Sequence, residues 1–209
     1  MCGVIESRVG FTLILSALIL SGCASAPFSD PPTARNLGDG KYLLSGGYQE
    51  TGGAALRFGH GFLERIDAGL QFEIGLFTTF GGWGRYGFLP PSSAFALAVD
   101  AGAGSSASDS YYGYGALVAS YKWEVLEPMV SVRYNYVRNR EEFDFTVGNQ
   151  KFVVENKDFA YLYYTLGATV WPWEPFGIYL QGSFMKTVTG NFVDHTSFAG
   201  VNVGLVGKF

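Results

Sequence analysis

From residue 41 to residue 209, apolar side chains recur on every second position, and this period of two limits the possible folds more than any other feature. Residues 66–76 show it most clearly. Ile66, Ala68, Leu70, Phe72, Ile74 and Leu76 fall on one face, with Asp67, Gly69, Gln71, Glu73 and Gly75 on the other. A strand turns successive side chains to opposite faces, so each such stretch reads as a strand with one greasy and one polar side. Thirteen Tyr and eighteen Phe favour strands over helices. Charged residues make up 15% of the chain, below the soluble average of about 25%. Beyond residue 22 there is no run of ~20 apolar residues that could cross a bilayer as a helix. Many amphipathic strands with few charges imply a transmembrane antiparallel up-and-down β-barrel. The net charge of -4 offers no basic face, which argues against nucleic acid as a partner.

Reading along the chain gives about ten strands. The first hairpin, 42–60, is the least regular, and eight strands is the alternative if it lies outside the wall. Gly81-Gly82-Trp83-Gly84 lacks the Lys-Ser/Thr of a phosphate loop and reads as a turn before a short return strand at Tyr86–Phe88. Arg138–Asp158 is the longest and most charged connection. Phe143, Phe145 and Val147 precede Gly148-Asn149-Gln150 within it, which predicts a projecting β-ribbon. The connections after His60, Leu89, Lys122 and Trp171 are short, whereas those between them are mostly longer and more polar. This alternation is expected of a barrel with an even number of strands. Trp123, Trp171 and Trp173 fall at the short-turn ends, where an interfacial aromatic girdle is expected. A soluble calyx of lipocalin type would have the same alternation but its greasy face inside.

Two segments resemble known signals. The last nine residues, Val201 to Phe209, alternate and end on an aromatic, so they resemble the closing strand of bacterial outer-membrane barrels. The resemblance implies that Phe209 is part of an assembly signal read by the barrel-assembly machinery. At the other end, Phe11–Leu20 is an apolar run of signal-peptide length. It leads into Leu20-Ser21-Gly22-Cys23, which resembles the lipobox of bacterial lipoproteins. That resemblance implies a signal peptide over 1–22 and a lipidated Cys23, palmitate included. It also implies transport to the outer membrane by the lipoprotein-sorting machinery, because Ala24 stands where aspartate commonly means inner-membrane retention. An ordinary secretory signal cut near Ala24 or Ala26 is the alternative. With Cys2 removed and Cys23 acylated, no disulfide pair remains. Residues 23–40 are rich in Pro and Gly without periodicity and read as a tether from a periplasmic lipid anchor to a barrel over 41–209.

The polar faces carry mixed charges. Arg57, Asp67, Glu73, Arg85, Asp100 and Arg133 all fall there and are expected to form a buried lumen network, with Lys122, Asn135, Tyr161, Tyr163, Tyr179, Gln181, Asn202 and Lys208 around them. Charges in a lumen this small must pair, because an unpaired buried charge is expensive. The expected lumen is therefore plugged, and a narrow porin-like pore for small solutes is the alternative. Asp194-His195-Thr196-Ser197 is the one place where acid, imidazole and hydroxyl sit together. His195 and Ser197 weakly resemble the His–Ser pair of outer-membrane lipid A deacylases, and their parity with Val201 would turn them toward lipid. No acid can be placed to orient them, so no catalytic residue is assigned beyond these two candidates. No metal-ligand spacing or cofactor motif appears. The expected role is structural or interactive at the outer membrane, among lipid and lipopolysaccharide, with the outer loops making the contacts.

Overall fold

The computed structural model describes residues 29–49, 53–74, 78–106, 110–138, 143–147, 150–154, 158–189 and 197–209. Ten strands make the wall: β1 (Tyr42–Gln49), β2 (Gly53–Leu63), β3 (Ile66–Ile74), β4 (Thr79–Gly87), β5 (Phe95–Ser106), β6 (Tyr111–Tyr121), β7 (Leu126–Arg138), β10 (Asp158–Trp173), β11 (Phe176–Thr189) and β12 (Ser197–Lys208). Each pairs antiparallel with its neighbours, and β1 pairs with β12 to close the barrel. Two further strands, β8 (Phe143–Val147) and β9 (Gln150–Val154), form a separate two-stranded ribbon between β7 and β10. The first hairpin belongs to the wall, so the strand number is ten and not eight.

The seam closes on the last residue. Tyr42 N–H donates to the Phe209 carbonyl at 2.8 Å and Phe209 N–H donates back to Tyr42 at 2.9 Å. The Phe209 ring also packs edge-on against Phe176, 5.4 Å between centroids. The start of β1, the end of β12 and the short turns at Glu64–Arg65, 88–94, 122–125 and Glu174–Pro175 all lie at one end of the barrel, the turn end. The ribbon β8–β9 marks the opposite, ribbon end.

Alternation decides inside from outside. In β7, Glu127, Met129, Ser131, Arg133, Asn135 and Val137 are buried, while Pro128, Val130, Val132, Tyr134, Tyr136 and Arg138 are exposed. The outward positions are apolar around the whole wall, from Leu56 and Leu70 through Leu117 and Leu166 to Val203 and Leu205. Leu205 is 64% and Leu166 60% exposed. A continuous apolar belt of this kind needs hydrocarbon around it, since soluble proteins rarely expose patches beyond a few hundred Å². The calyx alternative, which needs the greasy face inside, is thereby excluded. Trp123 and Trp173 stand outward at the turn end, as a girdle requires. Trp171 does not: it is buried and faces inward.

Three expectations change. Residues 79–84 continue β4 instead of turning, and the glycines hid the alternation that outward Phe80 and inward Trp83 carry. Trp83 points into the lumen, where the Arg57 guanidinium lies 3.8 Å from its ring centroid. Gly59 makes room for it, since a Cβ there would come within 2.6 Å of the indole. The second change concerns the tether. From Ser29 to Leu37 it is largely buried inside the barrel instead of running outside it. The third concerns β12, where a register shift beside Gly200 (φ 123°) pairs Phe198 with Phe184 and Ser197 with Met185. The backbone register therefore no longer runs in steps of two from Val201 to Ser197. His195 lies outside the described residues.

Candidate functional site

The lumen is the site, and its organising element is the strap Ser29–Leu37. Two prolines stiffen Pro31–Pro32 and remove their N–H donors, while the freed carbonyls find wall partners. Gln181 donates to the Pro31 carbonyl at 3.1 Å and Thr169 to the Pro32 carbonyl at 2.7 Å. The remaining polar groups of the strap meet inward side chains at successive levels, as buried backbone polar groups must.

At the turn end, Leu37 N–H and the Asn36 amide both donate to Asp67, at 3.1 Å to Oδ2. Arg35 reaches the β4–β5 turn and donates to the carbonyls of Pro91 at 2.6 Å, Ala94 at 3.0 Å and also Ser93. Its Nε stands 3.6 Å from Glu127. Glu127 accepts further bonds from Trp171 Nε1 at 3.0 Å, Ser120 Oγ at 2.8 Å and the Thr33 hydroxyl. The Lys208 ammonium lies 4.8 Å from the Trp171 ring centroid, completing this layer.

Higher in the barrel stands a fully buried trio. Arg85 grips Asp100 through two parallel bonds, Nε to Oδ1 at 2.6 Å and an N–H to Oδ2 at 2.9 Å. Arg57 adds a third at 3.1 Å. Asp100 is 0% exposed. Bidentate Arg–carboxylate geometry is the strongest form of such a pair, and two arginines on one acid leave a positive surplus. Carbonyl dipoles of the strap share it, with Arg85 donating to Thr33 at 2.8 Å and to Arg35 at 3.3 Å.

Nearest the ribbon end, Asp30 faces Arg133 at 3.1 Å. Asp30 also accepts from Ser131 Oγ at 2.5 Å and from Thr165. Arg133 donates to the Ser29 carbonyl at 2.9 Å and lies between the rings of Tyr163 and Tyr114, 4.9 and 5.3 Å from their centroids. Ser29 N–H donates to Glu73 at 2.8 Å, and the Ser29 hydroxyl binds the same carboxylate.

All six charged residues assigned to a lumen network, Arg57, Asp67, Glu73, Arg85, Asp100 and Arg133, thus lie inside and buried. Arg57, Arg85 and Asp100 are joined directly to one another. Asp67, Glu73 and Arg133 take partners from the strap. Lys122, placed on the polar face, sits instead at the turn-end rim, 2.6 Å from Glu174. Sequence reasoning missed the strap residues Ser29, Asp30, Thr33, Arg35 and Asn36, together with Glu127, Trp83 and Trp171. Extending the inward alternation of Ser131, Arg133 and Asn135 by two inward positions toward the start of β7 would have found Glu127. The strap has no periodicity, and only its paired charges, Asp30 and Arg35, hinted at buried partners.

A cavity of about 610 Å³ opens at the turn end, lined among others by Arg35, Lys41, Lys122, Glu127 and Lys208. Asn36 and Leu37 of the strap line it as well. No group of His, Cys, Asp and Glu that could hold a metal occurs among the described residues.

No protein-family model matches the chain, and no curated protein does either. Solved structures match at the level of architecture. The KdgM porin is 12% identical with a TM-score of 0.45, the match covering 81% of this chain and 99% of that one. The N-terminal β-barrel domain of Pseudomonas aeruginosa OprF is 9% identical at a TM-score of 0.38, covering 81% and 96%. Neisserial surface protein A is 12% identical at 0.36, covering 81% and 94%.

Proposed function

We propose that this chain is an outer-membrane β-barrel lipoprotein with a structural or interaction role, its lumen plugged by its own N-terminal strap. Residues 1–22 act as the signal peptide and Cys23 carries the lipid. The short turns face the periplasm, and the ribbon and the longer connections face outward, as in barrels of even strand number. The observation that carries this reading is the strap itself. Every strap residue from Ser29 to Asn36 makes a hydrogen bond to a side chain or carbonyl of the barrel, Ala34 through its backbone N–H and Arg35 through its guanidinium. A solute path would have to break ion pairs that are costly to leave half-made.

Planar-bilayer recording tests it. Purified protein is expected to give no steady single-channel current. A variant with Ser29–Leu37 replaced by a Gly/Ser linker is expected to conduct. Steady currents from the intact protein would establish the narrow-pore reading in its place. Cys23→Ser is expected to abolish palmitate labelling, and persistent labelling would refute the lipoprotein assignment.

A further inference from the structure

We propose that the chain threads its own barrel from the turn end to the ribbon end, so that the residues before Ser29, with the acyl group on Cys23, lie on the outer surface of the membrane. This rests on the outer-membrane lipoprotein reading above and reverses the periplasmic anchor that the tether suggested.

The polarity of the strap carries the inference. Leu37 binds Asp67, the second residue of β3, whereas Ser29 binds Glu73, the residue before its end. β3 runs from the turn end toward the ribbon end, so these contacts lie six strand positions apart, roughly 20 Å at the usual rise. On the opposite wall, Ser29 meets Arg133 in the ribbon-end half of β7. At the other end, Gly40 N–H donates to Gly61 at 2.9 Å and Gly61 N–H to Lys41 at 2.8 Å, fixing the entry at the turn end. The chain therefore climbs the lumen as residue numbers fall.

Chain reach sets the position of Cys23. From Arg133 to the end of β7 at Arg138 the wall rises about 13 Å along the barrel axis, for strands tilted by ~40°. The six residues from Ser29 back to Cys23 span up to about 20 Å when extended. Cys23 can clear the ribbon-end rim. Returning to the turn end would take it down the same lumen, past Asp100, Ser120, Thr165 and Thr169, all buried against the strap or its neighbours. A second observation points the same way. The side-chain amide of Asn135 and the hydroxyl of Tyr161 are buried without a hydrogen-bond partner among the described residues. They are cross-strand partners two positions beyond Arg133 and Tyr163 toward the ribbon end. A backbone continuing outward from Ser29 would supply the donors and acceptors they lack. The acyl group then sits in the outer leaflet, and the peptide between it and Ser29 is presented at the cell surface.

An epitope inserted between Ala26 and Pro27, with a second copy in a separate variant at Asn149 of the ribbon turn, tests this in intact cells. Both epitopes are expected to bind antibody without permeabilisation. If the Asn149 epitope binds and the one after Ala26 binds only in permeabilised cells, the threading is overturned while the barrel's orientation stands. If neither binds until permeabilisation, the outward assignment of the ribbon end fails and the threading with it. Pro27→Cys, labelled by a membrane-impermeant maleimide, repeats the test without added length, with surface labelling expected and labelling only after lysis overturning it. Palmitate incorporation into the same variants reads the lipid assignment separately.

Discussion

The Asp30–Arg133 pair gives the strap its most exacting test. The two groups stand 3.1 Å apart inside the barrel. At an effective dielectric of about 20 their attraction is roughly 5 kcal/mol, against which the desolvation of both ions must be set. Removing one charge leaves the other buried and uncompensated, a change that costs about 3–5 kcal/mol when the surroundings cannot relax. Here relaxation is available, because a strap that has lost its grip can leave the lumen and admit water. We therefore expect about 3 kcal/mol for Asp30→Asn and for Arg133→Met, the lower end of that range. The double variant leaves no lone charge and is expected to cost little more than either single change, giving a coupling energy of about 2–3 kcal/mol, within the span seen for residues in one ion-pair network. Urea unfolding in phospholipid vesicles, followed by tryptophan fluorescence, measures all four proteins. Costs that add within about 0.5 kcal/mol, as for independent sites, would refute the contact and with it the placement of Asp30 in the lumen.

Three further outcomes are expected from the same unfolding assay. Gly59→Ala should cost about 1–3 kcal/mol by overpacking against Trp83, while Gly82→Ala, whose Cβ would meet nothing nearer than a carbonyl at 3.7 Å, should fall within about 0.5 kcal/mol of the parent. Equal effects would mean that Trp83 does not occupy the lumen. Val203→Arg on the outward face should cost about 2–4 kcal/mol if it sits near the bilayer midplane, and a neutral result would contradict the lipid-facing assignment. Glu174→Gln should change stability by less than about 0.5 kcal/mol, because its pair with Lys122 is at the exposed rim. The hydrogen bond and charge of Lys122 hold the Glu174 carboxyl below the ordinary carboxylate value. A lowered acid contributes stability above its unfolded pKa that fades as pH falls through the folded one. Any acid loss specific to this pair should therefore appear only as the pH drops below about 4.3, the ordinary glutamate value, and vanish in Glu174→Gln. A larger loss, or one that persists, would place the acid sensitivity elsewhere.

How legible each region was in the sequence depends on the constraints it must satisfy. Wall strands such as β7 and β12 advertise themselves because lipid demands an apolar residue at every outward position, so the period of two survives whatever fills the inside. Arg57, Arg85 and Asp100 were legible for the same reason: they occupy inward positions of regular strands. β4 was not, because Gly81, Gly82 and Gly84 carry no side chain to alternate, and space for Trp83 mattered more than pattern. The strap was least legible. Its partners are wall side chains far away in sequence, Glu73 and Arg133 for Ser29 and Glu127 for Thr33, so neither hydropathy nor periodicity marks it. A Pro-rich segment with isolated charges reads as linker until the acceptors for its amides are known. The two-residue parity that linked Ser197 to Val201 was broken for a local reason, since one irregular residue beside Gly200 shifts the backbone register of Phe198 and Ser197.

Filling of the lumen by the chain's own N-terminal segment is tested most directly by amide hydrogen exchange in lipid nanodiscs, read by NMR at three strap positions. Ser29 N–H donates to Glu73, Ala34 N–H to Ser120 and Leu37 N–H to Asp67, and all three residues are buried. Amides held this way exchange only when the structure around them opens. A strap seated in the lumen predicts that these three amides exchange orders of magnitude more slowly than those of an unstructured peptide, and that Asp67→Ala speeds exchange at Leu37 more than at Ser29. Exchange at unstructured-peptide rates across all three in the intact protein would contradict it.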